Sequence, residues 1–169
     1  MNRITALDLS VAVLAAVSCL GSLIGLPIWA LFIGWAWYFT LGATVAAFKQ
    51  ASLPMIAGSA LAVAAIVLID ILSKSFALLP AMMLAVLLTV FLLMLTLKIA
   101  VFQCSLASFN AYSCMFAGYY AHAFPVQADY ISNLGYAVVW ITGANFIGLI
   151  FGWLSIGLAK LGSPGKPAG

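Results

Sequence analysis

The sequence predicts an all-α integral membrane protein of six transmembrane helices, and three observations carry that expectation. Hydrophobic residues make up 67% of the 169 positions and charged residues 5%, where an ordinary soluble domain carries about 25% charged residues. The ionisable side chains are few: Arg3, Lys49, Lys74, Lys98, Lys160 and Lys166 against Asp8, Asp70 and Asp129, with His122 the single histidine and no glutamate. The intervals between them hold runs of the roughly 20 apolar residues that a helix needs to cross a bilayer core about 30 Å thick.

The first helix is expected over Leu7–Ile24. Arg3 followed by an apolar run resembles a secretory signal peptide, but Asp8 interrupts the pattern and further hydrophobic spans follow, so an uncleaved helix and a chain beginning at Met1 are expected. The second helix, Pro27–Phe48, and the third, Pro54–Leu72, each open on a proline, which the first helical turn tolerates because its N–H has no partner there. Ser73-Lys74-Ser75 ends the third; the fourth runs Ala77–Leu97, the fifth Val101–Ala121 and the sixth Tyr130–Leu158, after a break from Phe124-Pro125 to Asp129. Residues 1–161 form one transmembrane domain with candidate halves 1–75 and 76–161, and the Gly- and Pro-rich residues 162–169 are expected as a disordered cytoplasmic tail.

With both termini cytoplasmic, Arg3, Lys49, Lys98, Lys160 and Lys166 gather on the inner side, and Lys74 stands outside beside Asp70 and Asp129. That satisfies the positive-inside rule, whereas an odd number of spans would split the cations evenly. Trp29, Tyr38, Tyr130, Trp140 and Trp153 include interfacial anchors. Two halves of three spans would form a 3+3 inverted repeat, because an odd span number flips the second copy. Phe32 through Phe39 on the second helix and Cys114 through Ala121 on the fifth each end in adjacent aromatics, and Gly58-Ser59-Ala60 is echoed by Gly143-Ala144-Asn145.

The run Trp29-Ala30-Leu31-Phe32-Ile33-Gly34 through Tyr38-Phe39, with the later run from Gly143-Ala144-Asn145 to Gly152, resembles the YcdZ-like bacterial inner-membrane family, the domain of unknown function 1097. The resemblance covers most of the chain. It implies a small multi-pass protein of the bacterial inner membrane and names no catalytic residue. Past the fifth helix this chain is bulkier than the family pattern, at Tyr119, Tyr120, His122 and Phe124.

Several classes are set aside by composition. A net charge of +3, dispersed along the chain, offers no basic stripe for nucleic acid. Cys19, Cys104 and Cys114 lie in apolar stretches without paired spacing, so neither disulfide, metal nor other cofactor is expected. No paired carboxylate, nucleophile elbow or helical zinc motif is present, and an enzyme is not expected. What remains is polar but uncharged: Gln103, Ser105, Ser108, Asn110, Tyr112 and Ser113 make the fifth helix the most polar of the six.

The expected function is therefore a small membrane channel or facilitator for a small, mostly neutral solute. Trp35, Trp37, Tyr38, Asn110, Tyr112, Ser113, Tyr119 and Asn145 are the candidate path, and Asp70, His122 and Asp129 the candidate vestibule or proton site. The expected partners are the lipid bilayer, the solute and further copies in a homo-oligomer. The alternative is a non-transporting membrane subunit or assembly factor that packs against another membrane protein. Gly21 with Gly25, and Gly148 with Gly152, are expected at close helix crossings, and Gly34 and Gly118 as gaps within aromatic runs.

Overall fold

A computed structural model describes residues 4–161; the expected tail 162–169, Arg3 and Lys166 lie outside the described residues. The described chain is all helical. Helix α1 (Ala6–Ser18) continues as a 3-10 turn to Ile24, followed by α2 (Ile28–Thr40), α3 (Val45–Leu72), α4 (Leu78–Thr96), α5 (Ser105–Tyr120), α6 (Tyr130–Ala137) and α7 (Gly143–Leu161). A π-helical turn, Val138–Thr142, joins α6 and α7 into one rod. Four stretches, Ala6–Ile24, Val45–Leu72, Leu78–Thr96 and Tyr130–Leu161, are long and apolar enough to cross a membrane.

Three expected boundaries are corrected. Helix α2 stops at Thr40 rather than Phe48, because Gly42 (φ 94°) and Ala43 (φ 52°) turn left-handed. The Gly42 N–H then donates to the Phe39 carbonyl and the Ala43 N–H to that of Tyr38, the pairing that closes a Schellman cap. The third helix starts at Val45, nine residues early, and runs through Pro54 instead of beginning there. A proline removes one N–H from the ladder, which a packed membrane helix tolerates. The expected fifth helix is split as well: Ala100–Phe102 is a 3-10 turn, and α5 proper begins at Ser105. At about 1.5 Å per residue, the 13 residues of α2 and 16 of α5 reach roughly 20 and 24 Å, short of a bilayer core.

In lipid, helices gain little from hiding apolar surface and are held by close contact and hydrogen bonds. The glycines show where. Helix α2 packs most extensively on α7 and α3 on α5. A Cβ at Gly34 would overlap the Asn145 carbonyl, one at Gly148 the Leu31 carbonyl, and one at Gly58 the Ser108 carbonyl. These are backbone-to-backbone crossings, so Gly34 leaves no gap for a ligand. Gly118 likewise faces Ile141 and Trp29 side chains. Gly152 meets Tyr38, completing the expected Gly148/Gly152 seam, whereas Gly21 and Gly25 serve the turn into α2.

Helices α1 and α4 are peripheral. Helix α1 lies on α7, where the Ser10 hydroxyl donates to the Ser155 carbonyl at 2.8 Å. Helix α4 touches α3 along a narrow stripe of Ala81, Ala85, Thr89 and Leu93, and Thr89 shares a 2.9 Å hydrogen bond with the Tyr112 hydroxyl. The rest of α4 presents leucines, Met83 and Phe91 outward. The core therefore lies among α2, α3, α5 and α7. Tyr38, expected among the interfacial anchors, is fully packed there beside Phe39 and Phe48. Trp29, Tyr130 and Trp153 are exposed.

Candidate functional site

The middle of the bundle carries uncharged polar groups only. Asn145 sits at the centre of the Tyr130–Leu161 rod and is 0% exposed. Its Nδ2 donates to the Ala30 carbonyl of α2 at 2.7 Å and lies 3.7 Å from the Cys114 sulfur of α5, so one side chain ties three helices together. Among the described residues its Oδ1 has no hydrogen-bond partner, and neither do the buried indole nitrogens of Trp35 and Trp37 on α2. One turn away, the Thr142 hydroxyl donates to Ser59 of α3 at 2.9 Å. The chemistry on offer is one free acceptor and two free donors, all neutral, in a region where unmade hydrogen bonds are costly.

The structure does not gather the expected path residues into one passage within the chain. Trp37 and Tyr38 share one packed cluster, Trp35 belongs to a second and Tyr112 to a third, against which Tyr119 also packs. Asn110 and Ser113, three residues apart as the stripe required, turn outward: Asn110 is half-buried and Ser113 exposed, and neither side chain has a hydrogen-bond partner among the described residues. The polar groups that α5 turns inward are Ser108, Tyr112 and Cys114.

Asp70, His122 and Asp129 do not meet in a central cavity. All three are exposed, towards the end of the bundle that also holds the α3–α4 and α5–α6 connections. Asp70 accepts a 2.6 Å hydrogen bond from the Tyr130 hydroxyl; the ion pair with Lys74, one turn away, does not form. Asp70, Lys74 and Tyr130 border a cavity of about 350 Å³. His122 occupies the left-handed position (φ 51°) that closes α5, its N–H donating to the Tyr119 carbonyl and that of Ala123 to Gly118. That is the same cap as at Gly42. Asp129 caps α6, and the hydrogen bond from the Ser132 N–H holds its carboxyl below the usual carboxylate range.

At the opposite end, a cavity of about 490 Å³ opens between Lys49 and Gln50 at the start of α3 and Gln103 and Cys104 before α5. Neither cavity reaches Asn145. Sequence reasoning selected Asn145 but missed its setting: Ser59, Thr142 and the Ala30 carbonyl. The signal was available in part, since Ser59 adjoins Gly58 and Thr142 adjoins Gly143, in the two glycine-bearing triplets already singled out.

A family model described as a protein of unknown function, DUF1097, matches residues 8–160. No curated protein matches the chain. No solved structure matches it either.

Proposed function

The chain belongs to the DUF1097 family of unknown function, and we propose that it is a YcdZ-like protein of the bacterial inner membrane, a channel or facilitator for a small, mostly neutral solute. We read it as six spans in two inverted halves, with both termini cytoplasmic. The repeat is supported by a register that differs from the one the adjacent aromatics suggest. The buried positions of α2, Ala30, Leu31, Gly34, Trp35, Trp37 and Tyr38, recur at a constant step of 77 residues on α5, as Ala107, Ser108, Ala111, Tyr112, Cys114 and Met115. Phe32 and Phe39 fall on Phe109 and Phe116 at the same step. On α3, Pro54, Met55, Gly58 and Ala62 recur 90 residues on, as Ala144, Asn145, Gly148 and Gly152 of α7.

The partners exchange accordingly: the second helix of each half packs on the third of the other, and the first helices, α1 and α4, lie outside α7 and α3. An inverted repeat brings its functional groups to the junction of the halves near mid-membrane. Asn145 occupies that junction, and its unpartnered Oδ1 is the observation that carries the reading. A neutral solute that carries a hydrogen-bond donor would satisfy Oδ1. Among the described residues, the charged side chains lie near the helix ends and connections, none beside Asn145 to favour an ion.

The test is stopped-flow light scattering of proteoliposomes under gradients of urea, glycerol and formamide, with wild type beside Asn145→Leu of matched folded content. The expected result is solute flux above empty liposomes that falls at least about tenfold in the variant, a loss of about 1.4 kcal/mol or more. Absence of flux for every solute would remove the facilitator reading. The rival reading, a non-transporting subunit packed against another membrane protein, is supported by the polar outer face of α5 and predicts no flux.

A further inference from the structure

We propose that the outer face of α5 docks on the same face of a second copy of this chain. Ser105, Phe109, Ser113 and Ala117 form the outward line of α5, with Asn110 beside it. Among the described residues, the amide of Asn110 and the hydroxyls of Ser105 and Ser113 have no hydrogen-bond partner. Asn110 and Ser113 are not at a water boundary. Ser108 crosses Gly58, the middle of the 28-residue α3, so Asn110 and Ser113 lie within about a turn and a half of mid-depth.

The chain contains its own control. Helix α2 holds the matching position in the other half, and there the outward residues are Phe32, Ile33 and Ala36 where α5 has Phe109, Asn110 and Ser113. The two phenylalanines are nearly equally exposed, 39% and 37%. On α2 those three positions suit lipid, and the next outward residue, Thr40, satisfies its hydroxyl on the Ala36 carbonyl. The α5 face places an amide and hydroxyls where lipid provides no partner, which membrane helices avoid unless another helix satisfies them.

A second copy is the occupant the chemistry favours, because the stripe is self-complementary. An amide and a hydroxyl each carry donor and acceptor, so Asn110 and Ser113 can pair with their own images across a two-fold axis along the membrane normal. Ser113 and Ala117, four apart, are small enough for a close crossing. A purely apolar partner would leave those groups unmatched. This docking stands independently of solute flux.

The test is oxidative cross-linking of the full chain in liposomes, in a background with Cys19 and Cys104 replaced by serine and the buried Cys114 kept. Ser113→Cys is expected to give a covalent dimer, and Ala36→Cys, on the equivalent lipid face, none. In parallel, Asn110→Leu should raise the dimer dissociation constant measured by energy transfer in lipid by about three- to thirtyfold, without loss of helical content. A monomer that Ser113→Cys does not cross-link overturns the proposal, as does equal cross-linking of the two cysteine variants. Cross-linking in native membranes to a different protein, with none between purified copies, also overturns it and assigns the face to another subunit.

Discussion

Replacing Gly58 by alanine tests whether backbone-to-backbone crossings hold the bundle. The added methyl would fall on the Ser108 carbonyl, with that residue's C and Cα also in contact, and none of these atoms can swing aside as a side-chain tip would. Helices α3 and α5 must separate along the seam from Ala51 to Ala111. Overpacking of this kind costs about 1–3 kcal/mol, and each lost carbon contact adds about 0.1–0.2 kcal/mol. The better helix propensity of alanine returns up to about 1 kcal/mol. The net expectation is a loss of about 2 kcal/mol in reversible unfolding in mixed micelles, followed by circular dichroism. Gly135→Ala provides the reference, since a Cβ there meets nothing within 4 Å, and should be neutral or slightly stabilising. Gly58→Ala as stable as wild type, or both variants shifting alike, would refute the reasoning.

Two further outcomes follow from local geometry. His122→Gly should leave the melting temperature unchanged or raise it by the equivalent of up to about 1 kcal/mol, since glycine adopts the left-handed cap without the cost a Cβ incurs; a marked loss of stability or of solute flux would restore His122 as a functional group. Tyr112→Phe should cost about 0.6–1.5 kcal/mol in the same unfolding assay, because Thr89 keeps its bond to the Ala85 carbonyl when the tyrosine hydroxyl is lost.

The elements legible in the sequence are those whose ends carry polar residues. The fourth helix was bounded to within a residue because Lys74 and Lys98 frame an unbroken apolar run. The end of α2 was missed because the turn is made by Leu41, Gly42 and Ala43, an apolar tripeptide whose only signal is one glycine. Pro54 misled for the opposite reason, having the chemistry of a helix start in the middle of a helix. On α5 the polar content was evident but not its direction, since Ser108 and Ser113 differ only in which neighbour each faces. The tie between Asp70 and Tyr130 spans 60 residues and no local spacing reveals it. The repeat we propose rests on a different register from the one the adjacent aromatics suggest, because its phase is taken from the buried positions of α2 and α5.

The π turn at Val138–Thr142 has a mechanical side. A turn that closes one residue late is the mark of a single residue inserted into an ordinary helix, so α6 and α7 share an axis but not a phase. Removing one residue there, or tightening the turn to the α form, would rotate α6 by about 100° about its axis while α7 keeps its seat against α2. Tyr130 would swing away from Asp70 and the Asp129 cap would face a new direction. The rod is therefore two segments set out of phase: Asn145 lies on the α7 side of the π turn, and the Tyr130–Asp70 tie and the Asp129 cap lie on the α6 side.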